Sequence, residues 1–358
     1  MKEKIVVYGL GKFYASVRSF IEREFCIVGY SDRKKVQCEG YVSASDIHRL
    51  EYEYVLITST DYYEEIKNEL VNKHEIPEHK VISVNELIIK TYQLELGGYR
   101  KQTSITDDQI YPAFCLKAAQ ENMIFSAFRM NPIIKRVYEH VTQIQGQEYL
   151  NHIQQSGNFE ELDWKNFILN DQYGSPEVFD YNLGEHEIRI SPVTLRYVKV
   201  LCDIMEMYDT DGIKSIAEIG IGYGGECRII SSYLKDRTYF LIDLPEVLEL
   251  AQTYLKKFDV DGKIRYIDGT KNLISEEYDL VISNYAFSEL TRDVQEIYLE
   301  KVIAHSKAGY ITWNSLSYNS FGGYSVKELT TKIKGAFVIE EKPLTAKDNC
   351  IIVWGTEK

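Results

Sequence analysis

The fold of this chain is decided by Ser215–Phe258, SIAEIGIGYGGECRIISSYLKDRTYFLIDLPEVLELAQTYLKKF. A short apolar run, Ile216–Ile219, ends in closely spaced glycines, and an amphipathic segment follows. A second apolar run, Tyr239–Ile242, then ends at Asp243. Strand, glycine loop, helix, strand and acid form the first half of a doubly wound sheet that binds a nucleoside where the strand order reverses. The sequence therefore predicts an α/β fold with a ligand site after the first of these strands.

The residues around the glycines indicate which ligand this is. Glycines let the backbone turn sharply and approach a ligand closely, and amides at the start of the helix near Glu226 would face it. Glu218, two positions before the first glycine, would repel the pyrophosphate of a dinucleotide but suits a sulfonium or an ammonium group. Asp243 could hold both ribose hydroxyls. The pattern predicts an S-adenosylmethionine site, and a glycine turn without a ligand is the alternative.

Later strands of the same sheet supply further candidates. Asp268 and Gly269 follow a third strand, where the carboxylate could receive the adenine amino group, and Asn284 follows a fourth, Tyr278–Ser283. The expected cofactor contacts are Glu218, Gly220, Gly222, Tyr223, Gly224, Asp243, Leu244, Asp268, Gly269 and Asn284. Two terminal runs, Ala336–Glu341 and Asn349–Trp354, should pair antiparallel. An antiparallel strand added to a parallel sheet separates methyltransferases from dehydrogenases.

Bulk composition excludes several classes of protein. The formal net charge of −13 over 358 residues argues against a nucleic-acid partner, which would need basic stripes. The apolar runs are too short to cross a bilayer, and the start of the chain leads directly into a strand, so no signal peptide is expected. The six cysteines are scattered, which disfavours a zinc site or a disulfide framework. We expect a cytoplasmic protein.

The chain is predicted to contain three parts, 1–93, 94–197 and 198–358. The first reads as a small Rossmann-like domain, in which Gly9 and Gly11 form a glycine turn and Asp32 ends the following strand. It resembles the N-terminal Rossmann-like domains of bacterial sugar-modifying enzymes, including sialic-acid and acetamido-sugar acetyltransferases. The matching residues are Val7–Gly11, Val28–Asp32 and Val55–Thr58. The resemblance implies a nucleotide or nucleotide-sugar site, and a domain kept for docking or dimerisation is the alternative.

The middle part reads as helical. Ala113–Phe128 and Pro132–Gln154 carry helix-spaced apolar residues, and Ile144 is placed on the apolar side of the second helix. These helices should cover the main sheet and wall a substrate pocket, with contact between copies of the chain as the alternative. The region 170–197 reads as loop with one strand, Glu187–Ile190, followed by a helix that starts at Ser191-Pro192.

From Ser104 onward the chain resembles the sugar O-methyltransferases of bacterial surface-polysaccharide gene clusters. The strings that carry the resemblance are Asp171-x-x-Gly174-x-Pro176, Ser191-Pro192-x-Thr194-Leu195-Arg196-Tyr197, Glu218-Ile219-Gly220-x-Gly222-Tyr223-Gly224-Gly225-x-Cys227-Arg228, Tyr239-x-Leu241-Ile242-Asp243-Leu244-Pro245-Glu246 and Tyr278–Glu289. The resemblance implies a class I fold and methyl transfer from S-adenosylmethionine to a hydroxyl of a sugar or sugar nucleotide.

Methyl transfer to a hydroxyl needs a base near the cofactor. Glu289, just past the fourth strand, is the first candidate, although it could merely favour the start of the next helix. His186 is the second, although a loop histidine is often incidental. Mg²⁺ is disfavoured, because the residues after the fourth strand include no paired aspartates, and no metal ligand is assigned.

The expected substrate contacts are Arg196, Tyr197, Tyr285, Tyr318 and Tyr324. Arg196 could bind a carboxylate or phosphate, or it could form an ordinary structural ion pair. Two other functions fit the sequence less well. One is a nicotinamide-dependent sugar oxidoreductase that uses the N-terminal domain, and the other is a non-catalytic binding protein with a degenerate methyltransferase fold.

Overall fold

A computed structural model describes residues 2–59, 62–97, 101–184, 186–260, 262–271, 273, 275–315 and 322–356. The chain divides into two compact units, Met1–Leu96 and Gly97–Lys358. The helical segment that the sequence set apart as 94–197 therefore belongs, from Gly97 onward, to the same unit as the large sheet.

The N-terminal unit is a parallel four-stranded sheet with strand order β2-β1-β3-β4. Its apolar core includes Val6, Val55 and Leu70. The elements are β1 (Lys4–Tyr8), α1 (Lys12–Glu24), β2 (Cys26–Ser31), β3 (Tyr54–Ile57), α2 (Tyr63–Asn72), β4 (Val81–Ser83) and α3 (Val84–Tyr92). The Rossmann-like arrangement expected from the sequence is confirmed.

The C-terminal unit begins with helices and a short hairpin that precede the large sheet. Its first elements are α4 (Ile110–Gln120), α5 (Asn122–Phe125), α6 (Pro132–Val137), α7 (Gln143–Gln155), α8 (Trp164–Ile168), β5 (Phe179–Leu183), β6 (His186–Ile190) and α9 (Pro192–Met207). The long α9 is capped by Ser191, whose side chain accepts a hydrogen bond from the Thr194 amide.

The large sheet alternates strands with helices. Its elements are β7 (Ser215–Ile219), α10 (Gly225–Tyr233), β8 (Thr238–Asp243), α11 (Pro245–Leu255), β9 (Lys263–Asp268), β10 (Tyr278–Asn284), α12 (Arg292–Lys301), β11 (Ser306–Trp313), α13 (Val326–Lys332), β12 (Phe337–Glu340) and β13 (Cys350–Trp354).

The seven strands follow the order β12-β13-β11-β10-β7-β8-β9. All neighbouring pairs are parallel except those of β13, which runs antiparallel to both β11 and β12. Gly309 permits this insertion, since a Cβ there would lie 1.9 Å from the ring of Trp354. This topology is that of class I methyltransferases, so the predicted fold class is confirmed.

Several local predictions were wrong. The helix expected over 132–154 is interrupted after Val137, because Thr142 forms a capping box with Gln145 and starts a separate helix. Ile144, placed on the apolar side, is 75% exposed. The region 170–197 contains two strands rather than one, since β5 pairs antiparallel with β6.

Candidate active site

The loop after β7 is shaped by glycines with positive φ. Gly220 (φ 76°) and Gly222 (φ 53°) adopt left-handed backbone conformations, which residues with a Cβ adopt only at a cost. A Cβ on Gly220 would also lie 2.0 Å from the Cβ of Ala286. The loop therefore passes close beneath the segment that follows β10, and both glycines line a cavity at this edge of the sheet.

The cavity has a volume of about 1060 Å³. This is at the upper end of the range for small-molecule sites, so it offers room for a cofactor and an acceptor together. It is lined by residues that follow β7, β8, β9 and β10, and by α6, α9 and the segment between α6 and α7.

Asp243 ends β8 and its carboxylate faces the glycine loop. Oδ2 accepts a hydrogen bond from the Ile221 amide at 2.8 Å, and Oδ1 accepts one from the Leu244 amide at 2.7 Å. Each oxygen can accept a second bond. Burial raises the pKa of Asp243 to about 6, although these amides favour the ionised form. A carboxylate fixed at the cavity suits a pair of neighbouring hydroxyl groups.

Two buried glutamates line the same cavity. Glu218 in β7 is 3% exposed, and Glu226 in the first turn of α10 is 4% exposed. Burial raises the pKa of Glu218 well above its ordinary value, and the neighbouring charges of Glu226 and Asp243 raise it further. Burial also raises the pKa of Glu226 to about 7. Two neighbouring carboxylates that are costly to ionise together would be stabilised by a cation between them.

The orientation of the Glu226 carboxylate is fixed through Asn284. Thr312 Oγ1 donates to Asn284 Oδ1 at 2.7 Å, so the amide nitrogen of Asn284 faces α10. That nitrogen donates to both carboxylate oxygens of Glu226, at 2.5 Å each. The first-turn acid of α10 is thereby held at the carboxyl end of β10.

Most of the site residues expected from the sequence lie around this cavity. The expected residues that line it are Glu218, Gly220, Gly222, Asp243, Leu244, Gly269, Asn284, Arg196, Tyr197, Tyr285 and Glu289. Glu289 Oε1 accepts a hydrogen bond from Asn314 Nδ2 at 3.1 Å. The sheet thus brings the candidate cofactor, substrate and base residues together.

Tyr223 and Gly224 lie elsewhere, although both belong to the glycine loop. Tyr223 is fully buried and packs against the guanidinium of Arg129, 4.8 Å from its ring centroid. Gly224 caps α10, and its Cα faces Leu255. These two residues pack against the protein interior behind the loop and do not line the cavity.

Asp268 and Tyr324 also lie outside the cavity lining. The Asp268 carboxylate accepts from the amide and hydroxyl of Thr270 and pairs with Lys271 at 2.9 Å. Tyr324 belongs to the apolar core of the sheet, and Arg292 lies over its ring at 3.9 Å. Tyr318 lies outside the described residues. His186 begins β6, and its side chain also lies outside the described part.

Sequence reasoning missed several residues that line the cavity. Glu226 was used only to mark the start of a helix, although an acid in the first turn after a glycine loop was a usable signal. Tyr138 and Tyr149 are 6% and 4% exposed, and both line the cavity, as does His140. Nothing in the local sequence distinguishes these residues from core or surface residues.

Arg196, in the first turns of α9, is 8% exposed. Its Nη2 donates to the carbonyl oxygen of Tyr138 at 3.4 Å, and the rings of Tyr197 and Tyr285 each lie 5.6 Å from the guanidinium carbon. Among the described residues Arg196 forms no ion pair. The structural ion pair considered as an alternative is therefore absent from the described part of the chain.

The glycine turn of the N-terminal unit has a similar acid. Asp32 Oδ2 accepts from the Leu10 amide at 2.7 Å, and Gly9 has a φ of 100°. A separate cavity of about 460 Å³ lies nearby, and its lining includes Leu10, Tyr14 and Tyr30 but not Gly9, Gly11 or Asp32. A nucleotide at this turn stays a prediction.

Two further properties of the described residues concern membranes and metals. No helix among them is long and apolar enough to cross a membrane. The same residues contain no group of three or more histidine, cysteine, aspartate or glutamate side chains that could hold a metal ion.

Comparison with known proteins gives one family match and many structural matches. Residues 1–82 match a protein-family model described as C2185-like, N-terminal. No match was found among curated protein sequences.

The structural matches include S-adenosylmethionine-dependent methyltransferases. One from Aquifex aeolicus is 17% identical over 45% of this chain and 96% of its own, with a TM-score of 0.32. One from Clostridium acetobutylicum is 11% identical over 44% and 88%, with a TM-score of 0.34. Magnesium protoporphyrin IX methyltransferase from Synechocystis, solved with bound S-adenosylmethionine, is 10% identical over 44% and 76%, with a TM-score of 0.34. The fold assignment itself rests on the strand order.

Proposed function

We propose that this chain is an S-adenosylmethionine-dependent O-methyltransferase whose acceptor is a sugar hydroxyl. One observation carries the proposal: Glu218, Glu226 and Asp243 line a single large cavity beside the glycine loop of a class I sheet. The sugar acceptor is supported by the resemblance of the strings from Asp171 to Glu289. The N-terminal unit, through its own resemblance, is consistent with sugar chemistry.

The residues at the cavity fit the chemical groups of S-adenosylmethionine. Asp243 offers acceptors for the two ribose hydroxyls, because its oxygens are oriented by the Ile221 and Leu244 amides. Glu218 supplies negative charge for the ammonium and sulfonium groups. Leu244 and Leu273 line the cavity and offer apolar surface for adenine. When bound, the cofactor would supply an electrophilic methyl group.

The chain's own catalytic task is to position the acceptor and remove its hydroxyl proton. Glu289 remains the candidate that the sequence favours. The structure also favours Glu226, because it is buried at the cavity and held by Asn284. A base works best when its pKa is close to the working pH, and burial raises the pKa of Glu226 to about 7. Either carboxylate would accept the proton as the new C–O bond forms.

An activity assay tests this proposal. The protein is incubated with S-adenosylmethionine and a panel of free sugars, sugar phosphates and nucleotide sugars, and released S-adenosylhomocysteine is measured. We expect turnover with at least one sugar. Loss of a general base lowers kcat by about 10²- to 10⁴-fold. The variants Glu226→Gln and Glu289→Gln are compared, and the one whose kcat falls by this factor identifies the base.

Two companion measurements, turnover of a nicotinamide cofactor with the same sugars and titration with S-adenosylhomocysteine, can contradict the proposal. Turnover of a nicotinamide cofactor with sugars, in the absence of methyl transfer, would favour the oxidoreductase alternative. Lack of turnover together with lack of S-adenosylhomocysteine binding would favour a non-catalytic protein.

A further inference from the structure

The cavity is lined by a buried cation whose hydrogen-bonding groups are only partly used by the described residues. The Arg196 side chain lines the cavity, and Arg196 is 8% exposed. Its Nε has no hydrogen-bond partner among the described residues, and its bond to the Tyr138 carbonyl oxygen is long, at 3.4 Å. A buried guanidinium is costly unless a counter-charge and hydrogen-bond acceptors compensate it.

The carboxylates that act on Arg196 electrostatically are engaged with other partners. Glu139 feels the charge of Arg196, but its Oε1 lies 2.5 Å from Nε of Arg129. Glu226 also feels that charge, and its two oxygens accept from Asn284. The described part of the chain therefore supplies negative potential near Arg196 without a carboxylate that pairs with it.

The described aromatic residues around Arg196 add further hydrogen-bond donors. The buried hydroxyl of Tyr138 finds no hydrogen-bond partner in the part of the chain that the structure describes, and Tyr138 lines the cavity. Tyr149 and Tyr197 line it as well, and both are buried. A planar guanidinium presents its donors as a fork that matches carboxylate and phosphate oxygens.

We propose that the cavity around Arg196 is an oxyanion subsite that binds a carboxylate or phosphate group. The proposal rests on the proposed function and deepens it, because this group has two sources. It is either the carboxylate of the bound cofactor or the acidic group of the acceptor, which would then be a uronic acid or a phosphorylated sugar. In both cases Arg196 binds the oxyanion directly.

The cofactor arm of the test uses isothermal titration with S-adenosylhomocysteine and with its analogue that lacks only the carboxylate. If the cofactor carboxylate is the ligand, wild type binds the analogue more weakly by roughly 30-fold or more, as expected for truncation of a buried charge pair. Arg196→Gln should then bind both compounds with similar, weak affinity. Arg189→Gln is the matched control, because its side chain is 66% exposed and far less constrained.

The acceptor arm uses the protein saturated with S-adenosylhomocysteine. It is titrated with glucuronate, glucose 1-phosphate and glucose as probes. If the acceptor supplies the oxyanion, Arg196→Gln binds S-adenosylhomocysteine as wild type does, but loses its preference for the acidic probes over glucose. Arg196→Lys keeps the positive charge but lacks the planar guanidinium, so it should retain part of the preference for acidic probes. This variant replaces Arg196→Gln in the test if the glutamine variant does not fold.

The subsite is overturned if Arg196→Gln and Arg196→Lys match wild type in every titration. It is also overturned if wild type prefers neither the carboxylated cofactor nor the acidic probes. If wild type binds no S-adenosylhomocysteine, the proposed function fails. The oxyanion subsite is then tested on its own by titrating the acidic probes into the protein without S-adenosylhomocysteine.

Discussion

At the residue scale, the site depends on two carboxylates that are costly to ionise together. Glu218 and Glu226 are both buried at one cavity, and the charge of Glu226 raises the pKa of Glu218. In the ligand-free protein this pair retains a proton at pH values where an exposed glutamate has lost it. A cationic ligand reverses this preference, because it stabilises the ionised forms.

The affinity for S-adenosylmethionine should therefore rise with pH. Burial raises the pKa of Glu226 from 4.5 to about 7, so binding of the cation below about pH 7 must release a proton. Linkage then gives an affinity increase of up to about tenfold per pH unit for one released proton. Isothermal titration in buffers of different ionisation enthalpy measures this release. Glu226→Gln should bind with a flatter pH dependence, and an affinity that falls with pH in wild type would contradict the assignment.

The stability of the ligand-free protein should show the opposite trend. Because Glu226 holds its proton to higher pH in the folded state than the ordinary value of 4.5, its contribution to stability is fully present below about pH 4.5. It is lost as the pH rises through about 7. Glu226→Gln should thus gain melting temperature relative to wild type between pH 4.5 and 7.5. A difference that does not change over this range would contradict the raised pKa.

Three of the four strand-end side chains expected at the cavity line it, but only two of the four described tyrosines expected there do. Glu218, Asp243 and Asn284 sit at the ends of parallel strands, whose carboxyl ends share one edge of the sheet. Tyr223 and Tyr324 were expected in the cavity but pack into the core. A loop or helix-flanking tyrosine carries no pattern that says which side it faces, because its ring suits both environments.

At the element scale, α9 is held in place by a buried ionic network. Asp171 accepts from the Ser191 amide at 2.6 Å and from the Thr194 hydroxyl at 2.7 Å. Arg129, whose side chain is 0% exposed, contacts both Asp171 and Glu139. The network therefore fixes the first turn of the helix that carries Arg196 into the cavity.

Removing Arg129 should strongly destabilise the C-terminal unit. Arg129→Met leaves the carboxylates of Asp171 and Glu139 buried without their cation, which costs about 3–5 kcal/mol. Chemical denaturation measures the decrease in the free energy of unfolding of this unit. The control Arg189→Met removes an exposed arginine and should change stability by less than about 0.5 kcal/mol. Equal effects of the two variants would mean that the network contributes little.

The elements that sequence patterns misjudged are those fixed by distant contacts or by a local cap. β5 contains Asp180 and Asn182, residue types that are depleted in strands, and its pairing with β6 provides the backbone hydrogen bonds. The break between α6 and α7 depends on the Thr142 capping box, which competes with helix continuation. By contrast, the large-sheet strands read as apolar runs bounded by glycines and acids, and their positions were predicted within a few residues.

At the scale of the whole molecule, the chain contains the same arrangement twice: an aspartate at the end of a strand that accepts a hydrogen bond from an amide of a glycine turn. Asp32 accepts from the Leu10 amide at 2.7 Å, and Asp243 accepts from the Ile221 amide at 2.8 Å. Only Asp243 lines the large cavity, together with the buried Glu218 and Glu226. The doubly wound class of the large sheet followed from the alternation of elements, and the pairing of the last two strands from the terminal hairpin. Tyr138, His140 and Tyr149, which also line the cavity, depend on tertiary packing and could not be placed.

A comparison of Asp243 with its counterpart Asp32 gives the most direct test of the central claim, which is that the cavity beside Asp243 binds S-adenosylmethionine. S-adenosylhomocysteine is titrated calorimetrically into the 358-residue chain and into its variants Asp243→Ala and Asp32→Ala. We expect one site per chain in wild type, unchanged affinity in Asp32→Ala and a loss of roughly 30-fold or more in Asp243→Ala, as buried hydrogen bonds to a charged group imply. Absence of binding in wild type, or wild-type affinity in Asp243→Ala, would contradict the claim.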